Sequence, residues 1–205
     1  FKGKVYAPEK MTSKALSFIE ENSNSPFFLY LPYTIPHVSL QAPDSYIKKY
    51  VGKFPGEKPY YGQNGYVPSQ FPLSTYAAMI TYLDDQVGII LNKLEELGLE
   101  DNTIVMFSSD NGATFNGGVQ PEYFKSVGNL RGLKMDVYEG GIRVPFIAKW
   151  PNKFPKNKVS NHISVQYDLM ATLADMLKID HVKTDGESMM PALIGQDDDI
   201  NDRYL

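Results

Sequence analysis

The sequence predicts an α/β fold with a mostly parallel central sheet flanked by helices, and three observations predict it. Residues 104–107, Ile-Val-Met-Phe, form a short β-branched and apolar run closed by turn residues. That is the pattern of a strand buried on both faces of a parallel sheet. Ahead of it lies a strong helical periodicity: Met79, Ile80, Leu83, Val87, Ile90, Leu91, Leu94 and Leu97. A short turn joins the two, as in the αβ connections of doubly wound sheets. Third, polarity switches sharply after Phe107, and Asp110 and Asn111 stand side by side before Gly112. Open α/β sheets bind ligands just beyond the carboxyl ends of their strands. A carboxylate beside an amide oxygen is a hard donor pair, suited to Ca²⁺ or Mg²⁺ rather than zinc. A polar Asp-Asn-Gly turn is the competing reading, and at this point both stand.

The 205 residues suggest one domain, or one domain with a small annex, and enough chain to bury a core. A net charge of −4 and a pI near 5.4 offer no basic field for nucleic acid. The longest apolar stretch, residues 27–33, carries Pro32 and is too short to span a bilayer. Cysteine is absent, which excludes a disulfide framework, a thiolate metal site and a cysteine nucleophile. The chain opens Phe1-Lys2-Gly3, without an initiator methionine or a secretory apolar core, and is expected to be an excised piece.

In chain order, Thr12 or Ser13 is expected to cap a helix running to about Glu21, with Leu16, Phe18 and Ile19 on its apolar side. Residues 22–26 break it, and 27–31 read as a second buried strand ended by Pro32. His37 then falls just past a strand. Residues 38–72 are rich in Pro, Gly and Tyr and read as a long irregular loop of functional or flexible character. Ser74 is expected to cap the long helix and Gly98 to stop it. After Asn111 a glycine-punctuated segment carries Arg131 and Lys134. Residues 144–150 read as a further strand, 159–164 as a short one, 168–178 as a helix, and 185–205 as a loop-like tail. If both central strands are parallel, His37, Asp110, Asn111, Arg131 and Lys134 gather at one sheet edge. Imidazole, cation and metal ligands so gathered describe an anion-ester site: positive charge neutralises an oxyanion and the imidazole moves a proton. A turn histidine and solvated lysines are the plainer reading of the same residues.

Several blocks, in order, resemble the sulfatases of the alkaline-phosphatase-like superfamily, specifically the arylsulfatase type. They are Pro32-Tyr33-Thr34-Ile35-Pro36-His37, then residues 76–88 around Asp84-Asp85-Gln86-Val87-Gly88, then Phe107-Ser108-Ser109-Asp110-Asn111-Gly112, and residues 130–145 with Lys134 and Glu139-Gly140-Gly141-Ile142-Arg143. Residues 167–173 and Asp185-Gly186-Glu187-Ser188 follow. The match covers residues 27–205. It implies an alkaline-phosphatase-like sandwich and a sulfuric ester hydrolase acting on a small-molecule or glycan sulfate. By the same resemblance Asp110 and Asn111 are ligands to Ca²⁺, with Mg²⁺ as the alternative, His37 contacts the sulfate ester, and Lys134 binds a sulfate oxygen. Glu139 and Arg143 would hold their loop; Asp84 and Asp85 read as structural or solvent-facing, and His162 and His181 as surface residues.

The departures are informative. Ser39 stands where many members have a second proline. No Cys/Ser-x-Pro-Ser/Ala-Arg motif, the source of the family's formylglycine nucleophile, occurs in the chain. The paired aspartates that complete the metal site are also missing. The expectation is therefore that residues 1–205 are a C-terminal portion of a sulfatase catalytic domain, truncated at both ends and inactive alone. Uncovered sheet edges are then expected to promote association or partial disorder, above all in residues 38–72. The family's usual compartments are periplasmic or extracellular. A phosphodiesterase or phosphonate hydrolase of the same superfamily is the first alternative, disfavoured because only one of three histidines lies in a block. A non-catalytic scaffold is the second.

Overall fold

The computed structural model describes residues 3–180 and 182–196. Residues 1–100 and 108–146 fall in one compact unit, and 101–107 and 147–205 in another.

The first unit is built on two helices. Helix α1 spans Ala7–Glu21 and starts six or seven residues earlier than a cap at Thr12 or Ser13 implies, because Pro8 occupies its first turn. Thr12 is therefore interior rather than a cap. It is buried, its hydroxyl bonds the Pro8 carbonyl, and it also meets the Tyr33 hydroxyl at 2.6 Å. Ala15 and Ile19 are buried, while Leu16 and Phe18 are half-buried. Helix α2 is the short Asp44–Ile47, and helix α3 is Pro72–Glu96. Pro72 opens α3, so Ser74 lies inside it, fully buried. The cap comes from a distant loop: the Glu57 carboxylate accepts from Ser74 N and from Ser74 Oγ, both at 2.7 Å. A carboxylate at a helix N-terminus satisfies orphan N–H groups and meets the positive end of the helix dipole. Gly98 ends α3 as expected. At φ +67° it lets Gly98 N reach Glu95 O and Leu99 N reach Leu94 O, the paired bonds of a Schellman stop.

Both α1 and α2 pack on α3. The core of this unit is Ile35, Val38, Leu40, Tyr76, Met79, Tyr82 and Val119. The Pro-His block therefore packs on the face of α3 that carries Tyr76, Met79 and Tyr82. Elsewhere the helix is less covered: Ile80, one of the periodic residues, is exposed, and so is Ile89.

Two strand expectations are corrected. Residues 27–31 join no ladder among the described residues. They do alternate: Phe27, Leu29 and Leu31 are half-buried, while Phe28 and Tyr30 are 74% and 77% exposed. Phe27 packs edge-on against Phe18 of α1 at 5.9 Å. The backbone is laid out for a sheet, one face rests on a helix, and no strand pairs with it; apolar composition on both faces cannot report whether a partner is present. Residues 159–164 are likewise irregular, with Val159 87% exposed. Residues 38–72 are better structured than expected, containing α2 and an antiparallel bridge between Tyr60 and Ser69.

Strand β1 (Val105–Ser108) pairs with β2 (Phe146–Lys149), and the unit boundaries fall at the ends of these strands, after Phe107 and after Phe146. A 3₁₀ turn at Glu100–Asn102 leads into β1. Helices α4 (Pro121–Phe124) and α5 (Glu139–Ile142) lie between the two strands in sequence. Helix α6 (Asp168–Leu177) follows, then α7 (Met190–Leu193), a helical turn within the segment read as loop. Asp168 is fully buried. Its Oδ2 accepts from Val165 N and its Oδ1 from Glu187 N, each at 2.9 Å. Thr172 Oγ1, one turn on, accepts from Met189 N at 2.9 Å. The two last sequence blocks are thus bolted together by one carboxylate and one hydroxyl. His162 is half-buried rather than a surface residue. His181 and residues 197–199 lie outside the described residues.

Candidate active site

The four candidate residues, His37, Asp110, Asn111 and Lys134, all belong to the first unit. Each sits on irregular chain, and backbone contacts draw the three segments together.

The segment after β1 is closed by the glycine-rich loop. Gly112 N donates to Gly141 O at 2.8 Å, and Lys134 N donates to Ala113 O at 2.8 Å. The approach is too close for any side chain: a Cβ on Gly112 would stand 2.0 Å from Gly140 O. The loop carrying Lys134 is tightened by a turn over residues 133–136. Asp136 N donates to Leu133 O, and the Asp136 carboxylate accepts back from Leu133 N, each at 2.9 Å. Asp136 is thus a positioning residue absent from the sequence-based candidates, although an acidic residue at a tight turn is the usual signal. Arg131, once a candidate cation, is used otherwise: its guanidinium stacks 3.6 Å over the Tyr138 ring. Arg143 and Glu139 pair at 2.6 Å across α5, the loop-holding role expected of them.

The third segment is brought in by packing. Val38, next to His37, lies against Gly117, where a Cβ would come within 2.5 Å of Val38 Cγ1. Val119 then enters the same core as Ile35 and Val38. His37 is held by loop packing on α3, not by the end of a paired strand.

The four side chains differ in what already engages them. Asp110 lies two residues past β1, is exposed, and makes no hydrogen bond or ion pair among the described residues. Asn111 Nδ2 donates to Gly112 O at 3.0 Å, which fixes the amide and turns its oxygen away from that bond. His37 Nδ1 bonds the Val38 carbonyl. A carbonyl only accepts, so Nδ1 carries the proton and Nε2 is left for a ligand. Lys134 is half-buried, its backbone tied to Ala113. Among the described residues no three His, Cys, Asp or Glu side chains cluster as a metal site. Two hard oxygen donors fit part of a Ca²⁺ shell, which takes six to eight.

This scaffold is α/β and of the alkaline-phosphatase-like kind, with the candidate residues on loops. The sulfatase family profile matches residues 2–179, and the chain belongs to the sulfatase family. It is 34% identical to the N-acetylgalactosamine-6-O-sulfatase of Bacteroides thetaiotaomicron, over 91% of this chain and 34% of that protein. It is 32% identical to the arylsulfatase of Hemicentrotus pulcherrimus, over 89% of this chain and 29% of that one. The solved structure of Ps i-CgsB in complex with k-i-k-neocarrahexaose superposes with a TM-score of 0.77 at 29% identity, covering 97% of this chain and 40% of that one. The chain therefore spans about a third of the length of these curated relatives. No helix among the described residues is long and apolar enough to cross a membrane.

Proposed function

We propose that this chain is the part of a sulfuric ester hydrolase that supplies the leaving-group side and half of the metal set of its site, and that the substrate is a sulfated carbohydrate. The observation that carries the reading is the closure of residues 112–113 on 134–141, by the Gly112–Gly141 and Lys134–Ala113 bonds, with Val38 seated on Gly117. These contacts tie the segments that carry Asp110, Asn111 and Lys134 to each other and seat the neighbour of His37 beside them, which supports the reading. The names of relatives acting on N-acetylgalactosamine sulfate support the carbohydrate.

In this reading Asp110 and Asn111 hold Ca²⁺ through their side-chain oxygens. When bound, the cation withdraws charge from the sulfate oxygens. Lys134 neutralises a further oxygen of the sulfate group. His37, its Nδ1–H donated to Val38 O, presents Nε2 toward the alcohol oxygen; with Nε2 also protonated, the Nε2–H bond breaks as the departing oxygen takes that proton, leaving the neutral imidazole. The nucleophile is a formylglycine from sequence outside these 205 residues, which hold no cysteine and no Ser-x-Pro-x-Arg. The 205-residue chain by itself is therefore inactive.

The test is hydrolysis of an aryl sulfate by the whole enzyme and by this chain. Asp110→Ala in the whole enzyme is expected to lower kcat/KM by about 10²-fold or more, the scale of losing one electrostatic stabiliser, and to weaken Ca²⁺ binding by calorimetry. Turnover by the 205-residue chain alone, lost on Asp110→Ala, would refute the external nucleophile. Unchanged turnover in the whole-enzyme variant would refute the metal assignment.

A further inference from the structure

Residues 44–54 carry a pattern that the sulfatase reading leaves unused. Tyr46, Tyr50 and Phe54 recur every four residues, and Lys49 and Lys53 each follow an aromatic residue by three. The helical turn of α2 runs on past Ile47, through Tyr50 N and Val51 N to Ile47 O. At that spacing the rings form one row and the lysines another beside it. The rings are fixed from beneath by α3: Tyr46 OH donates to Asp85 at 2.6 Å, and Tyr50 OH meets Thr81 Oγ1 at 2.5 Å. Phe54 stacks on Tyr50 and abuts Tyr123 at 5.8 Å.

The two lysines are held over this shelf. Lys49 Nζ stands 4.1 Å from the Tyr46 ring centre and Lys53 Nζ 5.5 Å from that of Tyr50. Both are exposed, and neither takes part in an ion pair among the described residues. An ammonium group resting on an aromatic face has already given up part of its freedom, so an anion captures it at lower entropic cost than a free surface lysine. Nearby carboxylates compete unequally. Asp85 is engaged by Tyr46 and Glu57 by Ser74, while Asp44, Asp84 and Glu122 are exposed. Tyr123, 43% exposed at the end of the row, offers an aromatic face to sugar C–H groups, whose slight positive charge suits it.

We propose that this lysine row on its aromatic shelf is a docking surface for a sulfated polysaccharide, engaging sulfates other than the one hydrolysed. The proposal rests on the sulfated-carbohydrate reading above. It also has a location: Tyr46 and Phe124 pack on the same core as Ile35 and Val38, the neighbours of His37. A short basic island with a ring beside it suits a sugar chain bearing spaced sulfates, whose C–H faces the ring can meet.

The experiment titrates the 205-residue chain with a chondroitin sulfate hexasaccharide, its desulfated counterpart, and a single-stranded DNA oligonucleotide of matched charge. Binding of the sulfated sugar alone is expected, weakening with salt. The K49E/K53E double variant is expected to bind about tenfold more weakly or worse, with an unchanged melting temperature. Tyr123→Ala is expected to weaken binding several-fold. No binding by the parent chain, indifference to charge reversal, or equal affinity for DNA would each overturn the proposal. In the whole enzyme, K49E/K53E should raise KM for the hexasaccharide and leave hydrolysis of a monosaccharide sulfate unchanged; equal loss on both overturns it. If the enzyme hydrolyses no sulfate ester while the hexasaccharide still binds through these lysines, the sulfatase reading fails and the docking surface stands.

Discussion

At the level of single residues, hydroxyl groups on this chain carry unexpected structural weight. Asp85 beside Tyr46 pushes the phenol up to about 12, first through their hydrogen bond and then through burial. Burial also raises Tyr6, Tyr33, Tyr76 and Tyr82. A group whose folded pKa exceeds its unfolded value near 10 stabilises the fold while it is protonated in both states. That contribution is lost as pH climbs through the folded value. The urea midpoint should therefore be insensitive to these groups up to pH about 10 and fall between about 10 and 12. Tyr46→Phe should make that fall shallower, as urea titrations across the alkaline range would reveal. Asp85 was legible in the sequence only as structural or solvent-facing, because its partner lies 39 residues away. Asp110 and Asn111 were legible as ligand candidates, since the abrupt switch from apolar strand to oxygen donors is local. Asp136 was not, because its part depends on a turn whose shape the sequence only permits.

Among the elements, helix α3 best shows what periodicity can and cannot report. The apolar spacing located the helix and Gly98 located its end, because both are local. Its start lies three residues before the position a Ser74 cap implies, since Pro72 supplies the first turn and Glu57, 17 residues from Ser74, supplies the cap. Glu57→Ala strips two acceptors from a buried serine, at a cost of about 1–3 kcal/mol. The expected outcome is a lower urea midpoint, with faster hydrogen exchange confined to the first turn of α3. Helix α6 depends in the same way on one buried acid. Asp168→Ala leaves Val165 N and Glu187 N without their acceptor, at a cost of about 3 kcal/mol. Exchange should then rise at residues 185–189 while α1 and α3 stay protected; uniform protection loss would count against a local latch.

Across the whole chain, the family and the α/β class could be read from motif order, but the division into two compact units could not. The second unit takes residues 101–107 from before the glycine-rich loop and 147 onward from after it, and no composition shift marks such a discontinuous boundary. Nor could the sequence tell that residues 27–31 pair with no strand among the described residues, because a ladder needs two strands and the signal describes one. Phe28 and Tyr30 touch water on most of their surface. Replacing both with lysine should leave the melting temperature within about 1–2 °C, as exposed positions usually do, and should raise the concentration at which light scattering detects oligomers. A large drop in melting temperature would show that the outward rings pack after all.

That extended segment separates two properties that usually travel together. Its inward side chains rest on a helix and answer to heat, whereas its outward ones answer to crowding, since bare ribbon invites a like ribbon. A preparation of this protein can thus keep its fold and still associate on standing, and dilution is the condition that separates the two.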